Sequence, residues 1–441
     1  MKSSIFLKAL IFFVIIRDET VITKMRVLEY YIAFALALLF TCDEHAFAQT
    51  DPQGEWFTRK PLPTARQEIP HAVLQYRIFI PGGFTLGGVA TNVVEVFDAA
   101  TNTWSTIPSL PIAMHHLAFA ATNDRLYVLG GYAGNSFSPI ARVFEFDFTK
   151  NTWLEKTSMP GARGAGIAVN HGGKIFVIGG VNSSGVVVGT NQRYDPILNE
   201  WKTLAPMPTS REHLAAAAID SLIYVIGGRN FSSGGNTGAL EAYSPLSNKW
   251  YILAGMPTPR GGLAAATLHG KLYVFGGEIP GVFNEVEEYD PSTNQWRQMA
   301  PMPVPRHGIG AATVADTIFI IGGGPVQGFG VSDENSGFTI SAPNTGVEEE
   351  RKLPRDFVLY QNYPNPFNAG TMIRFYLSKR SEVSLKVHDV LGREMITLVD
   401  STLDPGMQSV HWTAENLPSG EYLCRLQVGR EVQIRKFVLI K

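Results

Sequence analysis

The sequence predicts an all-β protein: a six-bladed β-propeller followed by a small Ig-like β-sandwich. Three observations predict it. An aliphatic-aromatic run ending on two glycines occurs six times, as in "LYVLGG" and "IYVIGG", with first glycines at Gly82, Gly130, Gly179, Gly227, Gly276 and Gly322. Tryptophans follow the same period of 46 to 49 residues, at Trp56, Trp104, Trp153, Trp201, Trp250 and Trp296. The last part of the chain, from Phe357 onward, is a series of short alternating strands. A fixed period of this size marks a repeat architecture.

Each unit reads as four strands. An inner strand such as "HLAAAAI" is small and apolar, because strands converge toward an axis. The next, "LIYVIGG", is apolar throughout, as expected of a strand covered on both faces. A third, "LEAYS", and a fourth around "KWYIL" complete the blade, and the Trp fills the widening outer wedge. Four antiparallel strands repeated around an axis form a β-propeller. The second glycines, Gly83, Gly131, Gly180, Gly228, Gly277 and Gly323, mark strand ends, where φ > 0 and close backbone approach are needed. "YDPSTNQW" is a turn in which Asp290 bonds the backbone ahead, Pro291 fixes φ and Asn294 takes the left-handed region. Trp56 has no preceding strands and Gly322-Gly323 has no following Trp, so the strand at Trp56 is expected to close the sixth blade, beside "SGFTIS". Closure removes an open edge.

"MPxxR" recurs with Arg163, Arg211, Arg260 and Arg306, and as "LPTAR" at Arg66. A residue present in nearly every blade reads as structural. Double glycine, aromatic-Asp and spaced Trp together resemble the kelch repeat, in six copies from about Trp56 to Gly324. Met114 in place of the Arg, and Ser244 in place of the acid, are local departures.

The bulk composition excludes some classes. Lys plus Arg is 37 against 39 for Asp plus Glu, so no field favours nucleic acid or anionic lipid. Cysteine is confined to Cys42 and Cys424; the latter, on the alternating face Tyr422, Cys424, Leu426, Val428, reads as a core thiol. The start of the chain has an Arg after Met25, eleven apolar residues from Tyr30 to Phe40, and Ala46-Phe47-Ala48 before Gln49. This is the signal-peptide pattern, with an apolar run too short to span a bilayer. Translation from Met25, or a longer two-part leader or anchor from Met1, are both open.

The expected division is a leader over 1–48, the propeller over 49–342, a charged linker over 343–356 and the sandwich over 357–441. In the sandwich, Ile373, Phe375 and Leu377 oppose Met372, Arg374 and Tyr376. "YQNYPNPFN", "LKVHDVLGREMITLV", "LPSGEYLCRL" and the terminus "RKFVLIK" resemble the type A C-terminal sorting domain of the type IX secretion system, with Ala369-Gly370 in place of a more usual Pro-Ser. The resemblance implies the type IX machinery as a partner. It also implies a secreted or outer-surface product reached through the periplasm. With the leader's apolar run too short to span a bilayer, no membrane span is expected in the mature chain.

Topology places the links between second and third strands at the same mouth as the starts of the inner strands. Loops on a rigid scaffold usually carry binding. Two positions after each Arg position lie Glu68, His116, Ala165, His213, Gly262 and Gly308; His115 and His307 are one step nearer, and Arg229 and Asn230 come from the loop side. The candidate ligand-binding set is therefore Glu68, His116, His213, His307, Arg229 and Asn230. No cofactor is expected, and no metal: the propeller has no Cys, and His115 and His116 would face opposite sides of a strand. The missing Cys also excludes the chemistry of the kelch copper oxidases. The expected function is a binding module for an extracellular protein or glycan. The alternative is a sugar mutarotase or epimerase similar to the kelch sialic-acid mutarotases, with Glu68 and His213 as acid and base.

Overall fold

The computed structural model describes residues 53–340, apart from Asn123, and 357–440, apart from Gln361, Tyr363, Pro364, Pro366, Glu415 and Asn416. The leader and the linker lie outside the described residues.

Six four-stranded antiparallel sheets form the propeller. The fourth blade is representative: Ala215–Ile219, Leu222–Ile226, Leu240–Ser244 and Lys249–Ile252, paired in that order. The sixth is completed from the other end of the repeat region. Glu55–Thr58 pairs with Asn335–Thr339, with Trp56 opposite Phe338. The expected closure is the observed one.

Blade-to-blade packing explains the period. Ala215, Tyr224, Ile226 and Leu240 of one blade pack with Ala265, Leu272, Val274 and Tyr289 of the next. The tryptophans add a polar stitch. Trp153, Trp201, Trp250 and Trp296 each donate Nε1–H to a carbonyl of the preceding blade, at Pro108, Thr157, Ala205 and Ala254, over 2.7–2.9 Å. Trp56 does the same to Ala300 at 3.0 Å, so the ring-closing strand uses the ordinary joint. Asn294 has φ 55°, and Ser292 N–H bonds the Asp290 carboxylate at 2.9 Å, as the turn chemistry requires.

The repeated Arg and the double glycine are one device. Arg66, Arg163, Arg260 and Arg306 each donate to the carbonyl of the first glycine of their own blade, Gly82, Gly179, Gly276 and Gly322, at 2.6–2.9 Å. Arg211 reaches the Val225 carbonyl at 3.0 Å. Arg66, Arg211 and Arg260, all fully buried, also pair with Glu95, Glu241 and Glu287 at 2.5 Å. In the second blade the Arg position is Met114, and the strand position equivalent to those carboxylates is Phe144; both are buried. The apolar exchange thus affects both members of the pair. At the glycines themselves space is closed: a Cβ on Gly228 would lie 2.7 Å from the Glu212 carbonyl oxygen, and φ there is +97°.

The C-terminal domain is a sandwich of two sheets. One contains Phe357–Leu359, Gly370–Leu377 and Gly406–Thr413; the other orders Glu394–Leu403, Ser381–Asp389, Gly420–Val428 and Glu431–Leu439. Ile373, Phe375 and Leu377 point inward, as the alternation predicts, and join Leu385, Trp412, Leu426 and Phe437 in the core. Cys424 is buried among them, and desolvation pushes its thiol up to about 12, which leaves it unreactive. Among the described residues no helix is long and apolar enough to cross a membrane.

Candidate functional site

The inner strands begin from a ring of left-handed residues. Glu68, His116, Ala165, His213, Gly262 and Gly308 all have φ between 47° and 65°. Their backbones are linked around the axis: Ala165 N–H to His116 O, His213 to Ala165, Gly262 to His213 and Gly308 to Gly262, at 2.8–3.1 Å. Ile69 N–H bonds Gly308 O at 3.3 Å and brings the series back to the first blade. At Glu68, His116, Ala165 and His213 the residue lines the axial channel. The left-handed turn is free for glycine and costs an L-residue about 1–2 kcal/mol, so Glu68, His116 and His213 hold strained positions where two sibling blades use glycine.

Below this ring lies a cavity of about 140 Å³ in the channel, lined by Glu68, His71, His116 and His213 against Leu117, Phe119, Ile167 and the alanines of the inner strands. The polar side chains are mutually engaged. Glu68 Oε2 lies 3.3 Å from His116 Nε2 and 3.9 Å from His213 Nε2. The two imidazoles approach at 3.0 Å between their Nε2 atoms. Behind them, His116 Nδ1 meets His115 Nδ1 at 2.6 Å, and His115 Nε2 meets the Ser136 carbonyl at 3.0 Å. His213 Nδ1 is bonded to the Glu212 carboxylate.

A second layer sits one residue outward. The residue after each double glycine pairs with the residue before each left-handed one, as Arg229 does with Glu212 through two 2.9 Å backbone bonds. The Arg229 side chain bridges Glu212 at 2.8 Å and Glu278 at 2.6 Å. His307 donates from Nε2 to Val326 O at 3.0 Å and stands 3.6 Å from both Glu68 and Glu278 through Nδ1.

The electrostatics follow from burial and neighbours. Burial alone would raise the Glu68 carboxyl, but His116, His307 and His213 outweigh it and hold it well below the usual carboxylate range. Burial also opposes the Glu212 charge, yet His213 and Arg229 hold that carboxyl down to about 2. Desolvation pushes His115 down to about 4 and His116 to about 3. His307 goes the other way: burial lowers it, but the adjacent Glu68 and Glu278 raise it above its ordinary value.

Five of the six expected residues, Glu68, His116, His213, His307 and Arg229, therefore occupy one cluster. Asn230 is used locally: its amide donates to Ser210 O at 3.2 Å and its oxygen accepts from Ser232 N–H at 3.1 Å. The sequence reading missed Glu212 and Glu278, although each has a repeat position that marks it: one before the left-handed residue and one after the double glycine. It also missed three phenylalanines on the loops. Phe137, Phe231 and Phe329 are 59%, 64% and 52% exposed. Phe137 lies 5.0 Å from His115 and 6.0 Å from His116, Phe329 packs edge-on to Phe84 at 5.5 Å, and Arg229 lies 5.5 Å over Phe231.

These features define a six-bladed propeller with a charged axial cluster under an aromatic-bearing loop face. The KLHDC2/KLHL20/DRC7 Kelch-repeats domain matches residues 38–207 and 118–323, and the chain belongs to the kelch-repeat family. The secretion system C-terminal sorting domain matches residues 361–441, which makes the chain a secreted or cell-surface protein handled by the type IX secretion system. Curated relatives include Kelch-like protein terF of Aspergillus terreus, 27% identical over 45% of this chain and 48% of the relative. Another is Alpha-scruin of Limulus polyphemus, 32% identical over 36% of this chain and 18% of the relative. The chain thus spans about half or less of those relatives' lengths. A solved structure titled "Structure of YjhT" superposes with a TM-score of 0.56 over 63% of this chain and 95% of that one, at 17% identity; the likeness is one of fold.

Proposed function

We propose that the propeller is a binding module, displayed or released outside the cell, that takes an extracellular glycan or protein on its loop face. The observation that carries this reading is the set of exposed rings Phe137, Phe231 and Phe329 around a cluster of carboxylates, imidazoles and a guanidinium. Exposed aromatics on a rigid scaffold offer apolar faces to sugar rings or partner side chains at low entropic cost. The polar groups beside them supply directional bonds. Delivery runs through the periplasm, by way of the signal peptide ending at Ala48 and then the C-terminal sorting domain. Glycan-array screening and pull-down from the producing organism's surroundings with the mature chain test the reading. Retention of a ligand without chemical change supports it; no retained ligand in either assay contradicts it.

A second reading has one specific support: the 3.9 Å approach of Glu68 and His213, an acid-base pair suited to sugar mutarotation or epimerisation. NMR of anomeric equilibration with candidate sugars tests it. Acceleration that disappears in Glu68→Ala favours the enzyme.

A further inference from the structure

We propose that Glu68, His116 and His213 form a mononuclear site for a divalent transition-metal ion of the zinc class at the axis of the propeller. The inference is independent of the ligand-binding reading.

Hydrogen-bond roles carry the argument. The Ser136 carbonyl can only accept, so His115 donates to it from Nε2 and presents a lone pair at Nδ1. His116 then donates from Nδ1, which leaves its Nε2 as a lone pair. Glu212 accepts from His213 Nδ1, and His213 Nε2 is left in the same state. With both imidazoles neutral, two lone pairs and a carboxylate oxygen converge at 3.0, 3.3 and 3.9 Å. Such a triangle is satisfied by a positive charge at its centre, either a proton on one imidazole or a metal ion, and the metal reading follows from its dimensions.

The dimensions suit a metal. Tetrahedral bonds of about 2.0–2.1 Å place ligand atoms roughly 3.3–3.4 Å apart, and the three edges bracket that value. The outer contacts match metal-site practice as well: a ligating His commonly gives its other N–H to a carboxylate, as His213 does to Glu212. The two nitrogens and one oxygen leave coordination positions unfilled beside the cavity, and Ala165, Gly262 and Gly308 add no bulk there. Three carboxylates, Glu68, Glu212 and Glu278, outnumber the basic groups between them, Arg229, which pairs with Glu212 and Glu278, and His307, which faces Glu68 and Glu278, so the local charge favours a cation. The sequence argued against a metal because the propeller has no Cys and because His115 and His116 are adjacent on one strand. The convergent set comes instead from three blades, at positions 48 and 97 residues apart.

Zn²⁺ titration of the chelator-treated mature chain by calorimetry tests the proposal. One equivalent should bind. His116→Ala or His213→Ala should weaken binding by at least about 100-fold, and Glu212→Gln by about 10–100-fold. Substitution of the exposed His269 should change nothing. Co²⁺ added to the unmutated chain gives a readout that no variant's folding can confuse: visible d–d absorption, displaced by Zn²⁺. Absence of that spectrum, zinc binding undiminished in the double His variant, or an imidazolium proton seen by ¹⁵N NMR with zinc present would each overturn it.

Discussion

His116 Nε2 and His213 Nε2 lie 3.0 Å apart although 97 residues separate them in the chain. Each starts an inner strand, in the second and fourth blades, and only a closed ring brings them together. The axial cluster therefore depends on the joint that closes the propeller.

Trp56→Ala should weaken that joint. It removes the bond to Ala300 and the ring contact with Phe338 at 4.8 Å. A half-buried Trp truncation of this kind should cost about 2–4 kcal/mol, read as a lower midpoint in urea. Deleting Gln49 to Lys60 should go further and expose the edge of Asn335–Thr339, with oligomers visible by size exclusion. A deleted chain that stays monomeric and equally stable would contradict the closure.

The buried pair Arg260–Glu287 gives a sharper test of the repeat's internal logic. Arg260→Met leaves Glu287 buried without its cation and should cost about 3–5 kcal/mol. Adding Glu287→Phe reproduces the Met114 and Phe144 arrangement of the second blade. Most of the loss should return in chemical denaturation. A double variant no better than the single one would show that the two positions do not act as a pair.

His71 sets a pH dependence. Desolvation in the channel lowers its imidazole from 6.5 to about 4. The unfolded chain thus binds this proton more readily than the folded one. The stability it contributes is present above pH 6.5 and is lost as pH falls toward about 4. Thermal melts across that window should show a shallower acid decline in His71→Gln than in the unmutated chain. Parallel declines would remove His71 from the account.

A chain ending near Asn344 should remain folded and keep ligand affinity while failing to cross the outer membrane, and a passenger fused before Glu348 should be exported with the full-length tail. The sandwich has its own core, built on Ile373, Phe375, Trp412 and Phe437. Export of the truncated chain would contradict the sorting role, and its unfolding would contradict the proposed boundary.

The fold was legible because its determinants are local and repeated. The double glycines, the Trp residues and the turn at Asp290 each state a backbone or packing requirement within one unit. Blade closure was legible for the same reason, since Trp56 and Gly322-Gly323 each lack their usual partner. The cluster was legible as a set of positions, two residues after each Arg, but not as chemistry. Left-handed backbone at Glu68, His116 and His213 is not written in their residue types, which rarely adopt it. Glu212 and Glu278 resemble ordinary surface acids until Arg229 joins them across two blades. Phe137, Phe231 and Phe329 lie in loops without periodicity, where composition alone does not say which face a ring presents.

The central claim is that binding belongs to the loop face, and one comparison tests it most directly. A ligand recovered with the mature chain is titrated by calorimetry against two variants. One replaces Phe137, Phe231 and Phe329 with Ser; the other replaces Ile197 and Leu246, 86% and 96% exposed on the turns of the opposite face, with Ser. The account predicts at least a tenfold loss of affinity in the first and none in the second. Unchanged affinity in the first with a loss in the second would place binding on the other face and contradict it.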